Sequence, residues 1–168
     1  KMAEDIDEME KMLNDYLQYA KSQTEEKSVN FNLTDTIFNL LRKYDSNKYQ
    51  FNTDEKFQFN GRENLVRRCI LNVLENGLTY GSKIFIEIKK SINSIIITVE
   101  DNGPGIPKNE YLNVFRPFYR VDKSRGLNKS GVGLGLSVAQ DIAKSHGGNI
   151  SLSESKHKGL LVKISLPF

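Results

Sequence analysis

The sequence predicts an α+β fold in which helices cover one face of a mixed sheet, with one further helix at the N-terminus. Two long apolar runs, at residues 84–88 and 95–99, have the composition of adjacent strands joined by a turn. A helical pattern at 62–79 precedes this pair and another at 136–145 follows it, and the chain ends on a second hairpin pattern. Because strands and helices do not alternate singly, a series of βαβ units is not predicted.

Composition narrows the class of protein. Of 168 residues, 38% are hydrophobic and 27% are charged, which is typical of a globular domain and not of a disordered or collagen-like chain. The net charge of +3 gives no reason to expect nucleic acid as a partner. No run of about 18 apolar residues is present. The single cysteine, Cys69, excludes a disulfide framework, so a reducing, cytoplasmic setting is expected.

Residues 1–27 form the first predicted unit, a helix with one apolar stripe. Its apolar side chains alternate three and four residues apart: Ile6, Met9, Leu13, Tyr16 and Ala20. Such a stripe is typical of a coiled-coil seam, so we expect this helix to pair with another helix or subunit; packing on its own domain is the alternative. The chain begins inside this pattern without a helix-start signal, as a fragment of a longer protein would.

Residues 28–168 form the second predicted unit. Thr34 or Asp35 is expected to cap its first helix, and Tyr80 and Gly81 to end its second. In chain order the predicted elements are a strand at Phe31 and Leu33, a helix through Ile37 and Leu41, strands at 49–51 and 57–59, the helix at 62–79, the two long strands, the helix at 136–145, and a hairpin of 150–153 with 160–166.

Two asparagines, Asn72 and Asn76, lie four residues apart on one face of the predicted helix at 62–79. Asparagine is a poor helix former, so the pair costs helix stability. A carboxamide oxygen can coordinate a hard cation such as Mg²⁺, and the nitrogen can donate to a phosphate oxygen. Two solvent-facing asparagines on a surface helix are the alternative.

The segment Asp101-Asn102-Gly103-Pro104-Gly105 follows the strand at 95–99. Its glycines let a ligand approach the backbone, and an ionised aspartate accepts hydrogen bonds from a donor such as the amino group of adenine. The same composition would also form an ordinary tight turn.

A glycine-rich loop at 131–135 leads into the helix at 136–145. Glycines at a helix start expose backbone N–H groups and the positive end of the helix dipole, which bind phosphate. The loop has neither the Rossmann nor the Walker spacing, and by itself it is a weak signal.

The order of the motifs is more specific than any one of them. Asn-x-x-x-Asn at 72–76, Asp-x-Gly-x-Gly-Ile at 101–106, Phe-Arg-Pro-Phe at 115–118 and Gly-x-Gly-Leu-Gly-Leu at 131–136 resemble the N, G1, F and G2 boxes of sensor histidine kinases. The resemblance covers roughly residues 31–168, and residues 1–27 look like the second helix of the family's dimerisation and phosphotransfer domain. Within the family, the F box and the N box ending in Tyr-Gly look closest to the EnvZ-like osmosensor group.

The resemblance implies the Bergerat fold and a site for ATP and Mg²⁺. It implies that Asn76 coordinates the Mg²⁺, that Asn72 contacts the water shell of the ion or a phosphate, and that Asp101 binds the adenine amino group. The other nucleotide-binding residues that it implies are Tyr80, Gly103, Gly105, Ile106, Gly131, Gly133, Leu134, Gly135 and Leu136.

Residues 119–130 correspond to the ATP lid of the family, and their polar, basic composition fits a segment that nucleotide orders. Arg120 is the candidate for neutralising charge on the transferring phosphoryl group, so Arg120 and Asn72 are the expected catalytic residues. Phe115 and Phe118 are expected to anchor the lid in the core.

Three departures from the family pattern stand out. Thr79 stands where many relatives carry a lysine or arginine that reaches the phosphates. Gly77 replaces a usual alanine, which should weaken the helix by about 0.5–1 kcal/mol. Neither His146 nor His157 lies in a phosphoacceptor box, so the acceptor is expected on an upstream helix or another chain. At its helix end, a cationic His146 would favour the helix dipole.

The resemblance implies a kinase that transfers the γ-phosphoryl group of ATP to a histidine, from which it passes to a response-regulator aspartate. The expected partners are a response regulator and a second copy of the chain, in a parent anchored in the membrane by segments outside these residues. The alternative is an ATPase clamp of the gyrase, Hsp90 or MutL type. Those usually carry a glutamate where this chain has Asn72, and Glu75 lies on a different helix face. A non-catalytic docking module leaves the four boxes unexplained.

Overall fold

The computed structural model describes residues 25–51, 53, 55–121 and 133–168, together with residues 6, 10, 13, 14, 16 and 17 of the N-terminal segment. Three members of the predicted apolar stripe, Ile6, Leu13 and Tyr16, are helical and more than half exposed. Met9 and Ala20 lie outside the described residues. Within the described ranges, no helix is both long and apolar enough to cross a lipid bilayer.

In the part of the chain that the structure describes, seven strands form two sheets. They are β1 (Val29–Asn32), β2 (Tyr49–Phe51), β3 (Gln58–Gly61), β4 (Ile84–Lys90), β5 (Ser94–Asp101), β6 (Asn149–Glu154) and β7 (Leu160–Pro167). The main sheet has the order β2-β4-β5-β7-β6, in which β2 is parallel to β4 and the other pairs are antiparallel. Strands β1 and β3 form a separate antiparallel pair. The predicted mixed sheet is confirmed.

Three α-helices, α1 (Leu33–Leu41), α2 (Glu63–Tyr80) and α3 (Gly135–Ser145), pack on one face of the main sheet. Alternate side chains of β4, namely Ile84, Ile86 and Ile88, are buried beneath them, as the period of a half-covered strand requires. Ile142 of α3 belongs to the same core. The predicted α+β architecture with helices on one face is therefore confirmed.

The cap of α1 lies earlier than the sequence predicts. Asn32 is the N-cap residue, and its Oδ1 accepts a hydrogen bond from the N–H of Asp35 at 3.2 Å. Thr34 instead donates to the carbonyl of Glu55 and accepts from the N–H of Phe57, both at 3.1 Å. Because β1 runs directly into α1, the cap lies two residues before Thr34 and three before Asp35, and the Thr34 hydroxyl is left to bind the 55–57 segment.

Candidate functional site

Helix α2 carries the predicted asparagine pair. Asn72 and Asn76 are both partly exposed on the same face of α2. Asn72 lies beneath the start of α3, because a Cβ at Gly135 would be 3.9 Å from the Cβ of Asn72. Tyr80, the last residue of the helix, is 44% exposed. One face of α2 thus leads from the α3 N-terminus towards the end of the β5 strand.

Asp101 ends β5 and is almost completely buried, with 4% of its surface exposed. Its Oδ1 accepts hydrogen bonds from the N–H of Gly103 at 2.8 Å and from that of Leu160 at 3.3 Å. Burial raises the pKa of Asp101, and these two hydrogen bonds offset part of that rise. The carboxyl group is therefore held in one orientation in a poorly hydrated setting, where a hydrogen-bond donor from a ligand would be favoured.

Glycines allow α2 and Asp101 to approach each other. A Cβ at Gly103 would lie 2.7 Å from the carbonyl oxygen of Tyr80, and a Cβ at Gly77 would lie 2.8 Å from Cγ2 of Ile84. Gly77 is buried and faces Asp101, whose Cβ is 3.7 Å from the same position. The glycine that departs from the family pattern therefore has a packing reason: the helix could not lie this close to β4 and β5 with a side chain there.

Sequence reasoning missed Gly159. A Cβ at this position would overlap with Oδ1 and the backbone of Asp101, so only glycine fits where the β6–β7 turn passes the carboxylate. The next residue, Leu160, supplies one of the two N–H groups that hold Asp101. A glycine at the start of a strand was the available signal, but its partner lies on another strand.

A cleft of about 500 Å³ lies between residues 104–107 and the β6–β7 turn. It is lined by Pro104, Gly105, Ile106, Pro107, Glu154, Ser155, Lys158 and Gly159. It therefore includes two of the predicted site residues, but Asn72, Asn76 and Asp101 do not line it. Gly105 has φ +72, a conformation that favours glycine. The hydrogen bonds and glycine contacts around Asp101, not this cleft, define the candidate site.

The glycine-rich segment begins α3. Gly133 has φ +78, accepts a hydrogen bond from the N–H of Phe118 at 3.0 Å, and leaves no room for a Cβ, which would lie 2.6 Å from the carbonyl oxygen of Tyr119. Leu134 is the N-cap residue, and in the described part of the chain no side chain caps this helix. Its first N–H groups and the positive end of its dipole suit a phosphate. Leu136 is buried, and Gly131 lies outside the described residues.

Tyr119, at the start of the predicted lid, is hydrogen-bonded to the segment that precedes it. Its hydroxyl donates to Oε2 of Glu110 at 2.5 Å, and the Asn113 amide donates to the same oxygen at 3.1 Å. The hydrogen bond from Tyr119 lowers the pKa of Glu110. Phe115 packs against the core as expected, but the same expectation for Phe118 is wrong, since this side chain is 68% exposed.

Arg120 follows Tyr119 and is partly exposed. Residues 122–132, which include most of the predicted lid, lie outside the described residues. Arg120 thus directly follows, along the chain, the 118–119 backbone that contacts Gly133.

Two further residues of α2 bear on the chemistry. The Thr79 hydroxyl donates to the carbonyl of Glu75 at 2.7 Å, so it is engaged along the helix. Glu75 is exposed. Burial is the main cause of the raised pKa of Tyr44, which follows α1, and the charge of Glu75 raises this pKa further. Glu75 thus lies on the Tyr44 side of α2, whereas Asn72 faces α3.

The fold and this site together define a class of ATP-binding domains. The chain belongs to the family of histidine kinase-, DNA gyrase B- and HSP90-like ATPases, whose model matches residues 61–168. Membership in this family makes ATP the nucleotide of the site.

Curated relatives indicate the branch of the family. The sensor histidine kinase GtrS of Pseudomonas aeruginosa is 30% identical over 175 residues, which cover 99% of this chain and 35% of the relative. The sensor histidine kinase CpxA of Escherichia coli is 34% identical over 108 residues, covering 64% of this chain and 24% of the relative. The chain thus spans about a quarter to a third of the length of these relatives.

Two solved structures of histidine kinases have folds similar to that of this chain. The mycobacterial sensor histidine kinase MprB has a TM-score of 0.71 at 24% identity, with 83% of this chain and 97% of that chain covered. The histidine kinase domain of the E. coli osmosensor EnvZ has a TM-score of 0.63 at 26% identity, with 86% and 91% covered. The chain is the catalytic, ATP-binding domain of a histidine kinase. The narrower assignment to the EnvZ-like group stays a prediction.

Proposed function

We propose that this domain binds ATP with Mg²⁺ and transfers the γ-phosphoryl group to a histidine on the dimerisation domain of the intact protein, for relay to a response-regulator aspartate. One observation carries the proposal: the buried, oriented Asp101 lies beside the end of the helix that bears Asn72 and Asn76, its Cβ only 3.7 Å from where a Cβ at Gly77 would be. The hydrogen-bond donor of a nucleotide base and the polyphosphate of the same nucleotide can therefore be bound at the two ends of one short surface.

Each residue has a proposed role. Asp101 accepts the hydrogen bond of the adenine amino group, and Gly103, Gly105 and Ile106 border the base. Asn76 offers its amide oxygen to Mg²⁺, and Asn72 contacts a phosphate or the water shell of the ion. A single amide ligand is adequate, because Mg²⁺ in such sites takes most of its ligands from phosphates and water.

The phosphates would lie at the α3 N-terminus. The backbone of Gly133 and Gly135 and the first N–H groups of α3 would bind them, with Leu134 and Leu136 holding the helix start and Gly131 extending the loop. Arg120 would stabilise charge on the transferring group, since positioning and electrostatics supply most of the catalysis in phosphoryl transfer. Tyr80 would lie beside the nucleotide.

We also propose that residues 1–27 belong to a dimerisation domain and residues 28–168 to the catalytic domain. The exposed Ile6, Leu13 and Tyr16 support pairing of this helix with a second copy of the chain. A response regulator as the receiver, a membrane anchor outside these residues and a cytoplasmic position of the domain follow from the same proposal.

The test separates binding from transfer. Asp101→Asn should weaken ATP binding by about 10- to 100-fold, because it replaces a charged acceptor by a neutral one. Arg120→Ala should leave ATP affinity near that of the wild type and slow transfer to a supplied acceptor domain. Calorimetry gives the affinities, and radiolabel transfer gives the rate. Equal losses of affinity in the two variants would contradict the proposed roles.

An ATPase clamp is the alternative, and hydrolysis discriminates the two. The position four residues before Asn76 is Asn72, which cannot act as a base, and Glu75 lies on the Tyr44 side of α2. We therefore expect negligible steady-state ATP hydrolysis without an acceptor domain, and no radiolabel on His146 or His157. Rapid hydrolysis that is lost in Glu75→Gln would favour the clamp.

A further inference from the structure

The side chain of Asn102 ties the turn after α2 to the segment that follows β5. Its Oδ1 accepts hydrogen bonds from the N–H groups of Ser82 at 2.9 Å and Lys83 at 3.0 Å, and its Nδ2 donates to the Ser82 hydroxyl at 3.0 Å. Its own N–H donates to the carbonyl of Lys83 at 3.3 Å. Both polar ends of the carboxamide are thus engaged within the protein.

The two segments that Asn102 joins carry the two halves of the site. Helix α2 carries the asparagine pair, and the other segment carries Asp101. No side chain separates them: a Cβ at Gly81 would lie 3.0 Å from Oδ1 of Asn102 and 3.1 Å from Cβ of Asp101, and a Cβ at Gly103 would meet the carbonyl of Tyr80. The orientation of Asp101 relative to α2 therefore depends on the close backbone packing of these two segments, and the hydrogen bonds of Asn102 hold that packing in place.

We propose that Asn102 is a positioning residue that determines base specificity. It contacts the 82–83 turn instead of the nucleotide, and it orients Asp101 so that the base and the phosphates are bound at once. A site discriminates between bases only while its acceptor is held in place, because a mobile acceptor adapts to either base. This inference rests on the proposed function, in which Asp101 accepts the adenine amino hydrogen.

The chain offers well-matched variants. Asn102 is exposed, so Asn102→Ala removes its side-chain hydrogen bonds to Ser82 and Lys83 without opening a cavity. Asn102→Asp keeps an acceptor oxygen for Ser82 and Lys83. Asn60→Ala is the control, since Asn60 is also exposed and loses a side-chain hydrogen bond, to Asn30 at 2.9 Å, in the β1–β3 pair.

The experiment measures the ratio of ATP to GTP affinity by calorimetry with Mg²⁺ on the full chain. A new charge in Asn102→Asp repels both triphosphates equally, so the ratio is insensitive to it. Asn102→Ala should reduce the preference for ATP by about tenfold, and Asn102→Asp should restore it to within about threefold of the wild type. Asn60→Ala should leave the ratio unchanged.

Three results would overturn the inference: an unchanged ratio in Asn102→Ala, an equal fall in Asn60→Ala, or no recovery in Asn102→Asp. Asp101→Asn is measured in parallel. If the wild type shows no preference for ATP, or if Asp101→Asn keeps it, base recognition by Asp101 is wrong and the inference falls with it. If Asp101→Asn loses the preference while Asn102→Ala keeps it, only the inference about Asn102 is overturned.

Discussion

The ring of His146 accepts a hydrogen bond at Nε2 from the backbone N–H of Arg62, at 3.1 Å. The other ring nitrogen, Nδ1, lies 2.8 Å from the carbonyl of Ile142, so the proton of the neutral ring is on Nδ1 and donates there. Burial lowers the pKa of His146, and the charge of Arg62 adds to this, while the hydrogen bond to Ile142 and the charge of Glu26 offset only part of the fall. His146 therefore joins the end of α3 to the start of α2 through a neutral ring, and not as the cation that the helix dipole would favour.

Acidification should destabilise the domain through His146. Because its folded-state pKa lies below the ordinary value of 6.5, the unfolded chain binds a proton first as the pH falls. The stability contributed by the neutral ring is complete above about pH 6.5 and is lost as the pH falls below it. Chemical denaturation at about pH 7.5 and about pH 5.5 should show a lower free energy of unfolding at the acidic pH.

The control for this prediction is His146→Gln, which does not titrate. Its free energy of unfolding should change less between the two pH values than that of the wild type. The pH dependence that Asp101 contributes to stability has the opposite sign, because burial raises its pKa and the folded state binds a proton more readily at low pH. Asp101 is present in both proteins, so its contribution cancels in the comparison. An equal pH dependence in the two proteins would show that His146 is not the group responsible.

Glu26 should stabilise α2 from outside the helix. The N-cap residue Arg62 makes no side-chain cap, and the Glu26 carboxylate takes that role by accepting from the N–H groups of Asn64 at 2.7 Å and Leu65 at 3.2 Å. A negative charge at this end also complements the helix dipole. Glu26→Ala should lower the free energy of unfolding by about 1 kcal/mol, measured by chemical denaturation.

The neighbouring Glu25 provides the matched control, because it is exposed and has the same charge. Glu25→Ala should change the free energy of unfolding by less than about 0.5 kcal/mol. If both variants lose the same stability, net charge explains the effect and the cap does not.

These contacts show which parts of the fold and the site local sequence could predict. The strands at 84–88 and 95–99 were predictable because short apolar, β-branched runs separated by a turn are a local signal of paired strands. The cap by Glu26 was not, because its partner lies 38 residues away and nothing in either segment specifies the other. Gly159 was missed for the same reason. The sequence order of the boxes predicted the site residues, but the contacts around them join separate elements.

Gly77→Ala should destabilise the domain, although alanine has a higher helix propensity than glycine. In an isolated helix the change would gain about 0.5–1 kcal/mol. Here the new Cβ would lie 2.8 Å from Cγ2 of Ile84, a fully buried side chain, so α2 must move away from β4. We expect a net loss of about 1–3 kcal/mol in the free energy of unfolding. Asp141→Ala, at an exposed position of α3, is the control and should be close to neutral; a stabilised Gly77→Ala would refute the contact.

Gly133 and Gly135 should respond differently to alanine, although both lie in the glycine-rich segment. At Gly133 the backbone has φ +78 and a Cβ would lie 2.6 Å from the carbonyl of Tyr119, so Gly133→Ala must displace the 118–119 backbone or the start of α3. At Gly135 the nearest atoms are 3.9 Å away, in Asn72, which is ordinary contact. Calorimetry should therefore show ATP affinity reduced by about tenfold or more in Gly133→Ala, since the strain at this φ and the clash each cost about 1 kcal/mol or more. Gly135→Ala should stay within about threefold of the wild type, because helix N–H groups remain available and alanine favours the helix. Equal losses in both variants would mean that the loop binds phosphate through glycine content alone, without the backbone geometry at Gly133.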